Sequence, residues 1–309
     1  MSFFNLFNPK DSLLLFGYDE EFVLFKNLIL NNKLPNVVMF SGKKGIGKST
    51  FVNHLLHFYF DKKNYDEKNK SIKINSSFHL QFRENVFSNI IYLDGSNFNS
   101  TKIDDIRILK KNLSKTPLNN EKRFIILDDV ECFNLNSLNA LLKIIEEPGD
   151  KNYFILINNK TNKLIETIKS RSLEIKIILN EKKISEITLL LIKSFDQKFS
   201  LDIDLINSSP GTFLKYNYLI NEKQINIDDR FIDILKNILN LYKKEKDIFY
   251  KDFLLFIIEY HIKKKMLNNV QNHENLLEIR LFIAKKINEF FLYKLNQNTL
   301  LSSIESKLK

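Results

Sequence analysis

Eight residues, Gly42-Lys43-Lys44-Gly45-Ile46-Gly47-Lys48-Ser49, carry the strongest chemical signal in the chain. They match the pattern G-x-x-x-x-G-K-[ST] in full, and three of the chain's 7 glycines fall inside them. Glycines let successive backbone N–H groups turn inward around phosphate oxygens, and a helix beginning at the loop's end adds a favourable dipole. Lys48 would reach the β- and γ-phosphates, the Ser49 hydroxyl would ligate Mg²⁺, and Thr50 would follow on the phosphate-facing turn. The cofactors implied are ATP and Mg²⁺. A loop that keeps this shape but turns nothing over would have the same residues.

Such a site needs an acidic residue at the end of a neighbouring strand. Phe124-Ile125-Ile126-Leu127-Asp128-Asp129 supplies two. Asp128 is placed to hold Mg²⁺, and Asp129 to orient an attacking water. An apolar run ending in two aspartates is also what any strand meeting solvent looks like; the complete phosphate loop upstream favours the functional reading. A single cysteine, Cys132, excludes a disulfide framework and a cysteine-based zinc site. His54 and His57 lie three apart on the helix after the loop. Without a third ligand they are expected to be two exposed helix residues.

These groups need a sheet to hold them. Val37 to Phe40 predicts a buried strand running into the loop, followed by a helix from about Lys48 to Tyr59. Further strands are expected at Asn89–Leu93, Phe124–Leu127, Tyr153–Ile157 and Leu173–Leu179. Ile103, Ile106, Leu109 and Leu113, then Leu138, Leu141, Leu142 and Ile145, mark intervening helices, the second ended by Pro148. Strands alternating with helices imply an α/β fold with a parallel sheet. The polar, aperiodic stretch from Asp61 to Glu84 is expected to be a mobile insertion. After Asn180 the pattern is helical, with a turn at Ser208-Ser209-Pro210-Gly211 and apolar stripes at Leu254–Ile262 and at Ile283, Ile287, Phe290, Phe291 and Leu295.

With 309 residues, 44% of them hydrophobic, the chain can bury a large core and is not a disordered polymer. Its formal charge of +10 invites a nucleic-acid reading, but heavy use of Lys, Asn and Ile throughout offers a compositional explanation. The longest apolar runs fall short of the roughly 20 residues of a membrane span, and the N-terminus lacks a signal-peptide pattern. A cytoplasmic location is expected.

Beyond the phosphate loop and the Asp pair, several segments resemble one family. Leu34-Pro35-Asn36, Ile103-Asp104-Asp105-Ile106-Arg107 and Asn139-Ala140-Leu141-Leu142-Lys143-Ile144-Ile145-Glu146-Glu147-Pro148 are similar to the AAA+ subunits of bacterial clamp loaders, most closely the delta-prime type of DNA polymerase III. So are Ser170-Arg171-Ser172 and Ser209-Pro210-Gly211. The resemblance covers roughly residues 13–220. It implies an AAA+ P-loop domain over 1–179, a small helical lid over 180–222 and a helical C-terminal collar over 223–309. It implies that Arg171 is an arginine finger acting on a neighbour's nucleotide and that Asn159 is the sensor 1 residue near the γ-phosphate. The implied partners are motor subunits and a clamp-opening subunit in a hetero-pentamer, the sliding clamp, and primed DNA through the complex.

Departures from the family pattern narrow the role. The N-terminus lacks the Tyr-Arg-Pro segment of motor subunits, and the stretch 61–84 lacks the four zinc-binding cysteines, so no zinc is expected. Asp129 stands where active motors have Glu, one methylene longer, and Thr212 where a sensor 2 arginine often stands. The expectation is a delta-prime-type subunit whose own ATPase is weak or absent and which carries no polymerase chemistry. The alternatives are an active motor of the same family and, from another class, a small-molecule P-loop phosphotransferase, which the scarcity of arginine disfavours.

Overall fold

The computed structural model describes residues 7–95, 103–113, 117, 121–205, 208–268 and 273–308. Two compact units result: Met1–Ile187 with Ser209–Gly211, and Thr188–Ser208 with Thr212–Lys309.

The first unit is built on five parallel strands in the order β4-β5-β6-β1-β7. They are β1 (Val37–Ser41), β4 (Ile90–Asp94), β5 (Arg123–Asp128), β6 (Asn152–Asn158) and β7 (Leu173–Lys176), with a two-stranded hairpin β2 (Tyr65–Asp66) and β3 (Ser71–Ile72) set apart. The three inner strands are buried end to end. That is why they read as unbroken apolar runs rather than alternating ones. Period two survives in which face each residue serves. Val38, Phe40, Phe124, Ile126, Ile155 and Ile157 join one core, while Val37, Met39, Ile125, Leu127, Phe154 and Leu156 join the other.

The first core lies under α1 (Asp19–Leu30) and α2 (Lys48–Phe60). The second lies under α4 (Ile103–Leu113), α5 (Leu135–Ile145) and α6 (Glu166–Lys169), through Ile106, Leu109, Leu138, Leu141, Ile144 and Ile168. Asn134 caps α5 by accepting from the Ser137 N–H at 2.8 Å. Strand β7 stops at Lys176 rather than Leu179. The Ile177 N–H still bonds Ser41 O at 2.8 Å, after which Ile178 is exposed to solvent.

The stretch Asp61–Glu84 is not a mobile insertion. It folds into the β2–β3 hairpin and helix α3 (Ser77–Arg83) and buries Tyr65, Ile72, Phe78 and Phe82 in the first core. Only four of the stretch's 24 residues are buried apolar ones, and they show no period because hairpin and helix each contribute just two. The same packing overturns the reading of His54 and His57 as exposed. Both are buried, beneath this segment. His54 Nδ1 meets Tyr65 OH at 3.1 Å and its Nε2 meets Ser12 O at 3.1 Å. His57 Nδ1 meets Asn53 O at 2.8 Å and its Nε2 meets His79 Nδ1 at 3.2 Å. The rings of Phe78 and Phe82 stand edge-on to His57.

Burial pushes His54 down to about 3 and His57 to about 4, and it lowers His79 as well. A histidine held neutral in the fold binds its proton near pH 6.5 once unfolded. The native state therefore keeps its full stability above about pH 6.5 and loses it progressively as pH falls towards 4. Denaturant titrations at pH 7.5 and pH 5 should show a lower midpoint at pH 5, by an amount worth a few kcal/mol. The drop should shrink in His57→Gln; an equal drop there would assign it elsewhere.

The second unit is helical. Beyond α7 (Glu181–Ser194) and α8 (Pro210–Glu222), α9 (Phe231–Glu245), α10 (Phe249–Asn268), α11 (His273–Tyr293) and α12 (Gln297–Leu308) bury Leu235, Ile238, Phe253, Leu254, Ile283, Ile287 and Ile304. Leu295, expected on the α11 stripe, lies beyond the helix and is exposed. No helix of the described residues is long and apolar enough to cross a membrane.

Candidate nucleotide site

Strand β1 ends at Ser41, and the chain turns through Gly42–Gly47 into α2, whose first residue is Lys48. Gly47 caps that helix at φ +97°, a conformation costly for any side chain. Tyr18, at the start of α1, braces the turn: its hydroxyl donates to Ile46 O at 2.8 Å and its ring stacks on Phe51 with centroids 5.0 Å apart. A second brace comes from Ser209-Pro210-Gly211. The Ser209 hydroxyl donates to Lys44 O at 2.6 Å and the Gly211 N–H to Gly45 O at 2.8 Å. A Cβ on Gly211 would stand 2.8 Å from that same carbonyl oxygen, so glycine is required by the approach.

The structure brings most of the expected site residues together. Ser49 Oγ donates to Asp128 Oδ2 at 2.7 Å. This hydroxyl and carboxylate, side by side at the loop's mouth, are the pair that would hold Mg²⁺, and the oxygen donor set suits that ion. Tyr92, one strand over on β4, donates to the same Oδ2 at 2.6 Å, and the Asp129 N–H fills Oδ1 at 2.9 Å. Burial raises the Asp128 pKa, although the Tyr92 and Ser49 hydrogen bonds oppose it. A divalent cation there would favour the carboxylate.

Lys48 is almost wholly buried, and its ammonium donates to Gly42 O at 2.8 Å and Lys43 O at 2.9 Å. Burial lowers it to about 8, with Asp128, Glu131 and Asp129 pulling the other way. Asp129 sits in the left-handed region at φ 48°, strain of the kind that gathers at functional sites. Its carboxylate accepts from Asn159 Nδ2 at 2.5 Å and pairs with the Lys44 ammonium at 3.3 Å. The expected sensor residue and the expected water-orienting carboxylate therefore touch. Burial disfavours the charged Lys44 amine, but Asp129 outweighs it and the pKa is raised.

Arg171 belongs to no part of this cluster. It follows α6 on the surface, where Nε donates to Glu146 Oε1 at 2.7 Å and Nη1 to Thr167 O at 3.1 Å. Sequence reasoning missed Tyr18, Tyr92, Lys44 and Glu131. Glu131 accepts at Oε1 from the Asn159 N–H (3.0 Å), the Thr161 N–H (3.2 Å) and the Thr161 hydroxyl (2.9 Å), so it holds the loop that carries Asn159. Tyr92 left a trace inside the expected strand Asn89–Leu93, two residues before Asp94, whose register partner is Asp128.

A P-loop after the first strand of a sheet ordered β4-β5-β6-β1-β7, with acidic residues ending the strand two places away, is the α/β architecture of the AAA+ fold. The chain belongs to the family described as DNA polymerase III, delta subunit, whose sequence profile matches residues 18–180, more than half of its length. Among related proteins, the DNA polymerase III subunit gamma/tau of Mycoplasma genitalium is 31% identical over 176 residues, 55% of this chain and 28% of that one. The subunit delta' of Bacillus subtilis is 30% identical, over 48% of this chain and 44% of its own. The delta' of Buchnera aphidicola subsp. Schizaphis graminum is 26% identical, over 62% and 61%. The matches thus span between about a quarter and three fifths of those relatives' lengths. A DNA polymerase III gamma subunit-related protein from Thermotoga maritima shares the fold with a TM-score of 0.54 at 16% identity, over 92% of this chain and 97% of that one.

Proposed function

We propose that this chain is a delta-prime-type clamp-loader subunit that binds nucleotide at Gly42–Ser49, assembles with motor and clamp-opening subunits, and completes a neighbour's ATPase site with Arg171. The assembly would open the sliding clamp and set it on primed DNA. The observation that carries this reading is the position of Arg171. Its guanidinium is partly exposed and, among the described residues, bonds Glu146, Thr167 O and Ser170 and no residue of Gly42–Ser49. A finger used in trans needs that placement.

The chain's own site suits binding more than turnover. Asp129 already shares its carboxylate between Lys44 and Asn159, and it has one methylene less than the glutamate of active motors. A second reading, an active motor of the same family, is favoured by the intact Ser49–Asp128 pair and by gamma/tau relatives at similar identity. Steady-state ATPase of the purified chain separates the two. The proposed role predicts turnover at or near background, alone or with primed DNA. Turnover on the order of 1 s⁻¹ or more that disappears in Asp128→Asn would favour the motor.

A further inference from the structure

At the carboxyl ends of three adjacent strands, Asn158, Ser41 and Lys176 lie side by side in register. That edge of a parallel sheet is where α/β proteins gather ligands. Asn158 and Lys176 line a cavity of about 270 Å³ there, and so do Lys160, Lys163 and Lys169. The one carboxylate in its wall, Glu174, accepts a hydrogen bond from the Ser41 hydroxyl. Lys169 is drawn to Glu166 at 2.8 Å. Lys160, Lys163 and Lys176 form no ion pair with a carboxylate among the described residues.

Four ammonium groups around one carboxylate repel one another, and the cavity walls focus their field. The backbone is also bent to put one of them in place. Lys160 sits at φ 56°, held by its N–H donating to Oδ1 of the buried Asn158 at 2.9 Å. That bond uses the oxygen of the Asn158 amide and leaves the NH₂ as a further donor. Such a lining, cationic with a fixed neutral donor, fits a compact, multiply charged oxyanion.

We propose that this cavity is a second phosphate-binding site adjoining the Gly42–Ser49 loop, whose Gly42 N–H donates to Asn158 O at 3.1 Å. Its ligand is a phosphate group, carried either by a free polyphosphate or by a nucleic-acid backbone. The assignment is independent of the role proposed for Arg171.

Calorimetric titration of the full chain with tripolyphosphate, and separately with a short single-stranded DNA, tests it. Three proteins are compared with wild type. In the first, Lys160→Gln, Lys163→Gln and Lys176→Gln are combined. The second is a charge-matched control with Lys236→Gln, Lys243→Gln and Lys285→Gln at exposed positions far along the sequence. The third is Lys48→Ala. The three substituted lysines are exposed, so the fold should survive their loss, which circular dichroism checks. The expected result is a component of tripolyphosphate binding that persists in Lys48→Ala, is little changed in the control, and weakens at least about tenfold in the cavity variant, where the phosphate loop's own share remains. If only DNA binds and shows that pattern, the site stands and its phosphate comes from nucleic acid. Equal losses in the cavity variant and the control, no binding of either ligand by wild type, or binding abolished by Lys48→Ala would each overturn the proposal.

Discussion

Arg171→Ala should leave the isolated chain folded and its nucleotide affinity unchanged, yet remove the turnover of one ATPase site in the reconstituted loader. The bridge that Arg171 makes with Glu146 joins side chains 38% and 46% exposed. Pairs of that kind contribute at most about 1 kcal/mol, so the thermal midpoint of the variant should barely move. A finger acting in trans is worth roughly 10³-fold or more in the rate at the site it completes. The contribution of that site to DNA-stimulated turnover should therefore vanish, while complex assembly is intact by size-exclusion chromatography. Arg171→Lys should not restore it, because a point charge lacks the planar fork that spans two phosphoryl oxygens. Assembly turnover equal to wild type in Arg171→Ala would remove the assignment.

Lys48→Ala should abolish measurable nucleotide binding by the chain. The ammonium is the one cation at the loop that is buried and aimed by two carbonyls, Gly42 O and Lys43 O. Charge-assisted bonds to phosphate in such a place are strong, and losing them should weaken ADP or ATP at least about 100-fold. Because burial lowers Lys48 to about 8, pH supplies an independent check. Below that value the free chain already holds the proton its ligand needs. Above it, binding must take up a proton, and affinity should fall by about tenfold per pH unit. Fluorescent-nucleotide titrations from pH 6.5 to 9.5 measure both effects. Binding that survives in Lys48→Ala, or that is flat across this range, would move the site elsewhere.

The strands and the phosphate loop were legible because each rests on a local signal. The inner strands announce themselves as apolar runs, since burial on both faces leaves no polar alternation. The loop is legible because its backbone geometry demands glycine at fixed spacing. What escaped depends on tertiary packing. The segment 61–84 shows a polar sequence and folds because His54, His57 and the Phe-rich face of α2 accept its few apolar residues. Those histidines looked exposed because polarity suggests solvent, and nothing local reveals that Tyr65 and His79 arrive from elsewhere to satisfy them. Lys44 and Glu131 were illegible for a related reason. Their partners, Asp129 and the Asn159–Thr161 loop, lie dozens of residues away and meet them only when β5, β6 and the phosphate loop are laid side by side. Ser209 to Gly211 were visible as a turn, but not as a brace on the loop.

The central claim is membership of a loader in which this chain works through its neighbours. Co-expression with the gamma/tau-type and delta-type subunits of its own cell, followed by native mass spectrometry of the purified mixture, tests that most directly. The expected spectrum contains one hetero-oligomer with this chain in defined stoichiometry, stable without added nucleotide and persisting in Arg171→Ala. A mixture in which the other subunits assemble together while this chain remains a monomer would contradict the account.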